Sequence, residues 1–100
     1  MIIPINDTYR INSDSYQWKV EKFSHIIKSG EDIGKERWKA LTYHGELDKA
    51  VQRCAERMIR ETDCTGIAEA EKAVERIAAT LKEAIGDRLN ISVVISRVEL

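Results

Sequence analysis

The apolar residues of this chain change their spacing once, near His44-Gly45, and that change limits the folds open to it. Before it they alternate: Tyr16, Trp18 and Val20 are separated by Gln17 and Lys19, the period of a half-buried strand. After it they recur every third or fourth residue, as Leu47, Val51, Cys54 and Met58, then Ile67, Ala70, Val74, Ile77, Leu81 and Ile85. That is the period of helices with one apolar face. Strands are expected at Ile2–Ile5, at Thr8–Ile11, from Tyr16 to Val20 with an extension through Phe23 and Ile26, and at Arg37–Tyr43. Turn residues at Asn6-Asp7 and Asn12–Ser15, and a two-glycine loop at Ser29–Gly34, separate them. Such short connections favour an antiparallel meander.

Helices are expected from about Leu47 to Glu61 and from about Ile67 to Ile85. Asp63 or Thr65 is the expected N-cap of the second, and Gly86 its stop. The segment Ile91–Val98 is β-branched and alternates on one face, which reads as a last strand, added to the meander or exchanged with a second subunit. The expected architecture is therefore one α+β domain of 100 residues. An antiparallel meander of three or four strands (1–44) is covered by a helical hairpin (46–86), with a terminal strand (90–98).

Charge narrows the function. Lys and Arg number 16 against 17 Asp and Glu, for a net charge of −1. A general nucleic-acid coat or polybasic membrane binder carries a clear positive excess, so only a local basic patch remains open. One exists: Lys49, Arg53, Arg57 and Arg60 fall at spacings of four, four and three, in a stripe opposite the first helix's apolar seam. Like charges at that spacing repel slightly, so the stripe is either a solvated face offset by Glu46, Asp48, Glu56 and Glu61, or a site for phosphates or acids. A second feature interleaves aromatic and basic residues on the strands: Trp18, Lys19, Lys22, Arg37, Trp38, Lys39, Tyr43 and His44. Trp38 and Tyr43 are candidates to stack bases beside such a stripe. Against that, Trp18 and Trp38 have the parity of core-facing positions on neighbouring strands.

Catalytic signatures are missing from the sequence. His25 and His44 have no partner at metal-ligand spacing, no Ser lies in a Gly-x-Ser-x-Gly turn, and no glycine-rich phosphate loop precedes a helix. Cys54 and Cys64 stand ten residues apart, ~15 Å if helical and too far for a disulfide. Cys54 on a core seam is a poor nucleophile. The expectation is a protein that is not an enzyme and needs no cofactor or metal. Met1–Asp7 lacks the basic and apolar regions of a signal peptide, and no run reaches the ~18 apolar residues of a membrane span, so the expected place is the cytoplasm. Ala73, Ala78 and Ala79 beside the second helix's seam permit close approach of another helix, in the core or between subunits, and the expected state is a homodimer held by the second helix or the final strand.

The run Ile5-Asn6-Asp7-Thr8-Tyr9-Arg10-Ile11-Asn12-Ser13-Asp14 resembles the opening of a family of small bacteriophage proteins of unknown function. The likeness continues through Gly34–Lys39 and Leu41–His44 into the first helix, over roughly residues 3 to 60, and the tail after Asn90 departs from it. It implies a phage or prophage origin, hence a host bacterial cytoplasm. Small phage proteins of this kind act by binding, which gives the expectation of a protein that inhibits or redirects a host factor such as an anti-phage defence nuclease, in the manner of an anti-CRISPR. The alternative is a nucleic-acid or signal-nucleotide binder using the basic stripe.

Overall fold

A computed structural model describes residues 1–98. Four strands, β1 (Ile2–Pro4), β2 (Tyr9–Ser13), β3 (Trp18–Ile26) and β4 (Glu36–His44), form one antiparallel sheet in sequence order. Helices α1 (Leu47–Glu61) and α2 (Ile67–Ile85) follow, then a 3₁₀ turn and a short helix, α3 (Ile91–Ser96). The meander and both long helices lie where the change of period puts them. Ile3, Tyr9, Ile11 and Val20 from one face of the sheet meet Val51, Cys54, Leu81 and Ile85 of the helices in a single core. Among the described residues, no helix packs on the opposite face of the sheet.

Several local details differ from expectation. The terminal strand is a helix: Asn90 Oδ1 accepts the Val93 N–H at 3.3 Å as an N-cap, and Ile91 and Val94 are buried. Ile91, Val94, Ile95 and Val98 share a spacing of three and four as well as β-branching, and the former lets them close the core cluster. Burial outweighs an intrinsic β preference worth only ~1 kcal/mol across its whole scale. Neither Asp63 nor Thr65 caps α2; Gly66 takes the N-cap position at φ +87°, and Glu69 reaches back to the Thr65 N–H at 2.8 Å. Gly86 does end α2, at φ +69°. Tyr16 precedes β3 rather than joining it. Asp14 Oδ1 accepts the N–H groups of Tyr16 and Gln17, and this turn leaves Tyr16 91% exposed.

Both surfaces expected to serve a homodimer have internal duties. Ala73 is buried and Ala78 packs against the core, although Ala79 is exposed, and α3 folds back onto α1 and α2.

The sheet is uneven in length. β2 pairs with β3 only over Trp18–Lys22, with one further bond from the Phe23 N–H to the Thr8 carbonyl. Beyond that, β3 and β4 pair only with each other and stand out as a two-stranded arm. The molecule measures 47 × 32 × 20 Å, with a radius of gyration of 14.5 Å. A compact chain of this length would have ~13 Å. The arm accounts for this elongation.

Candidate interaction surface

Of the two register shifts between β3 and β4, the one at Val20/Glu21 decides which face Trp38 takes. Val20 pairs with Thr42, but Glu21 pairs with Ala40, so Leu41 is an extra residue in β4. Such a bulge reverses the facing of everything beyond it relative to strict alternation. Trp18 therefore packs against the core, as its parity indicates, whereas Trp38 turns to the opposite side of the sheet. The expectation of two core-facing tryptophans on neighbouring strands holds for Trp18 and fails for Trp38, and Leu41 is the reason.

On the uncovered face, Trp38 is held from several sides. The Arg10 guanidinium lies 4.4 Å from its ring centroid, Phe23 meets it edge-on at 5.6 Å, and its Nε1–H donates to Glu36 Oε2 at 2.8 Å. Arg10 is fixed in turn by register: it lies opposite Glu21, and its Nε donates to Glu21 Oε1 at 2.7 Å. Among the described residues, Glu21 is the one buried charged side chain, at 6% exposure. Desolvation of a carboxylate is costly unless it is paired, so Glu21 holds Arg10 in place and Arg10 holds the indole. These groups floor a groove of about 540 Å³, walled by Ile2, Pro4 and Ile26 and edged by Asp7 and Glu36. That volume falls within the range of sites that accept a ligand or a partner's side chains.

The basic stripe lies elsewhere. Lys49, Arg53, Arg57 and Arg60 run along α1, on the helical side of the sheet, while Trp38 and Tyr43 are on the other side. Tyr43 is 58% exposed and stands opposite Lys19. The six expected site residues therefore fall into two groups on opposite sides of the sheet. Within the stripe, Glu56 Oε1 forms salt bridges with Arg60 Nη2 at 2.6 Å and Arg53 Nη1 at 3.5 Å. Arg57 Nε is buried without a hydrogen-bond partner, and among the described residues Lys49 forms no salt bridge. The dips along the stripe are small. One, of about 130 Å³, is lined by His44, Lys49, Gln52, Arg53 and Glu56; the other, of about 170 Å³, includes Arg57, Arg60 and Glu61. Burial and the neighbouring Arg53 both hold the His44 imidazole below its ordinary value.

At the end of α1, Glu61 Oε1 accepts from the Tyr9 hydroxyl at 2.5 Å and from Lys22 Nζ at 3.2 Å. The Tyr9 hydrogen bond, above all, holds the Glu61 carboxyl below the usual range, and burial pushes the Tyr9 phenol well above its own. This cluster ties β2 and β3 to α1. Cys54 is fully buried and burial pushes its thiol up to about 12, so it stays protonated and unreactive. Among the described residues, no three of His, Cys, Asp and Glu gather as a metal would require, and no helix is long and apolar enough to cross a membrane.

Sequence reasoning singled out Trp38 but missed Arg10, Glu21, Phe23, Asp7 and Glu36. The signal available was the pairing of Arg10 with Glu21, which becomes visible once the β2–β3 register that sets Ser13 opposite Trp18 is fixed. Comparison of the chain with protein-family models, curated proteins and solved structures finds no match in any of the three.

Proposed function

We propose that this is a non-enzymatic interaction protein that binds a host protein through the uncovered face of its sheet and inhibits or redirects it. The observation that carries this reading is the Arg10–Trp38–Phe23 cluster, prearranged over a buried carboxylate on a face that no helix covers. Tryptophan and arginine are the side chains that dominate binding energy at protein interfaces, and here both are already ordered, so less freedom is lost on binding. The sequence resemblance supplies the biological setting: a phage or prophage protein whose target is a host factor, of which an anti-phage defence nuclease is one class. Co-expression with candidate defence systems tests it. Protection from a system by the wild-type chain, lost in Trp38→Ala, supports the reading; protection that Trp38→Ala retains removes the sheet face from it.

A second reading, nucleic acid or a signal nucleotide on α1, draws support from Lys49 and Arg57, neither of which forms a salt bridge among the described residues. Arg53 and Arg60 already share Glu56, so about two phosphate contacts are free rather than four. The slope of log affinity against log salt on duplex DNA is then about −2 rather than −3.6. Oligonucleotide titrations at two salt concentrations measure it, and an absence of binding at low salt removes this reading.

A further inference from the structure

The groove on the uncovered sheet face has a charge pattern that specifies its partner more closely, and this step rests on the reading of that face as the binding surface. Arg10 is the one cation lining it, and its charge is already engaged by Glu21 at 2.7 Å and by the Trp38 ring. Asp7 and Glu36 also line it, both are exposed, and neither forms a salt bridge among the described residues. Arg37 and Lys39 flank Trp38 in sequence, but alternation along β4 sends them to the other face. The groove therefore combines free negative charge with exposed apolar walls, Ile2 at 52% and Ile26 at 44% exposure.

A phosphate backbone meets two carboxylates here and is repelled, so Trp38 and Phe23 in this groove are not a base-stacking platform. A cation on an aliphatic stem fits both features at once: its charge lies between Asp7 and Glu36, and its stem or an adjacent apolar residue covers Ile2, Pro4 and Ile26. We infer that the groove takes a protein segment presenting Lys or Arg next to an apolar residue. Complementary charge selects this partner against acidic ones, while the Trp38–Phe23 floor supplies contact area.

The test is selection of random dodecapeptides displayed on phage against the full chain. Counter-selection uses Asp7→Lys plus Glu36→Lys, which alters two exposed side chains outside the core; because Glu36→Lys also removes the acceptor of the Trp38 N–H, the solution titration uses Glu36→Gln, which keeps one. Expected survivors carry Lys or Arg beside Leu, Ile, Val or Phe. Titrated in solution, the best of them binds Asp7→Asn plus Glu36→Gln about tenfold more weakly, the loss expected for two partly exposed ion pairs. Enrichment of acidic or uncharged peptides, or no peptide that discriminates the charge-reversed protein, overturns the inference. So does a homodimer in sedimentation that the charge reversal dissociates, because the groove would then hold a second copy. The two failures separate cleanly. If Trp38→Ala abolishes protection while survivors lack a cation, the partner chemistry falls and the binding surface stands; if Trp38→Ala retains protection, the surface itself falls.

Discussion

Replacing Arg10 by Met tests whether Glu21 is held by its partner or merely tolerated. Arg10→Met keeps most of the aliphatic stem and removes the guanidinium, leaving a carboxylate whose side chain is 8% exposed with its ion pair gone. Removing one partner of a fully buried ion pair costs ~3–5 kcal/mol. Here Arg10 is itself 22% exposed, so water enters beside it and the cost is reduced. Adding the lost cation–π contact with Trp38, worth ~0.5–1 kcal/mol at a partly exposed site, the expected loss is about 2–3 kcal/mol. Urea denaturation followed by far-UV circular dichroism and by tryptophan fluorescence measures it, with a midpoint shift at unchanged slope. A fall in melting temperature of roughly 8–16 °C accompanies a 2 kcal/mol loss in a domain of this size. The decisive comparison is Arg10→Met with Glu21→Leu: removing both charges removes the unpaired carboxylate, so the double variant recovers most of the loss. A single-variant loss below about 0.5 kcal/mol, or a double variant as unstable as the sum of the singles, refutes the argument that Glu21 needs Arg10.

Tyr9→Phe removes the donor to Glu61 and destabilises by about 1 kcal/mol, below the ~1.5–3 kcal/mol of a bond to a charged group because the Glu61 side chain is 42% exposed. The Glu61 pKa is depressed in the fold, so its share is present above the ordinary value of 4.5 and fades as pH falls. The Tyr9 pKa is raised, so its share is present below the ordinary value of 10.0 and fades as pH rises. The difference between wild type and Tyr9→Phe in urea melts is therefore largest from about pH 5 to pH 10. The depressed His44 pKa means the fold favours the neutral ring, so its share of stability is present above the ordinary value of 6.5 and is lost as pH falls. His44→Gln flattens that part of the stability–pH curve. Native-state labelling with a maleimide modifies Cys64, which is partly exposed, and spares Cys54 until urea unfolds the chain; mass spectrometry of the digested protein reports which thiol has reacted.

Most of the fold was legible because periodicity is a signal summed over many residues. The seam from Leu47 to Met58 and that from Ile67 to Ile85 each tolerate a misread position without changing the helix they imply. The uncovered face was not legible, because it depends on a single inserted residue. Nothing in the string Ala40-Leu41-Thr42 marks Leu41 as the bulge, since it is apolar and fits a regular strand equally well. Yet that one residue moves Trp38 from the core to the surface. The tail failed for a related reason: in Ile91–Val98 the spacings of two and of three-to-four coexist, and only the available core surface chooses between them. The stripe on α1 was legible as a pattern of cations. What escaped the linear sequence was how much of it Glu56 already neutralises.

The protruding arm gives the molecule two tiers of stability. In the body, β3 is hydrogen-bonded on both sides, and opening it requires opening β2 and the core as well. Beyond Phe23, each strand of the arm has a single neighbour and no helix beneath it, and a lone two-stranded ribbon is at best marginal in water. Amide protons there exchange through local opening at a fraction of the global unfolding free energy. Phe23 and Trp38 sit where the tiers meet. Anything that clamps this junction therefore draws part of its binding free energy against the local opening of the ribbon, and slowed exchange far out along the arm is the trace it leaves.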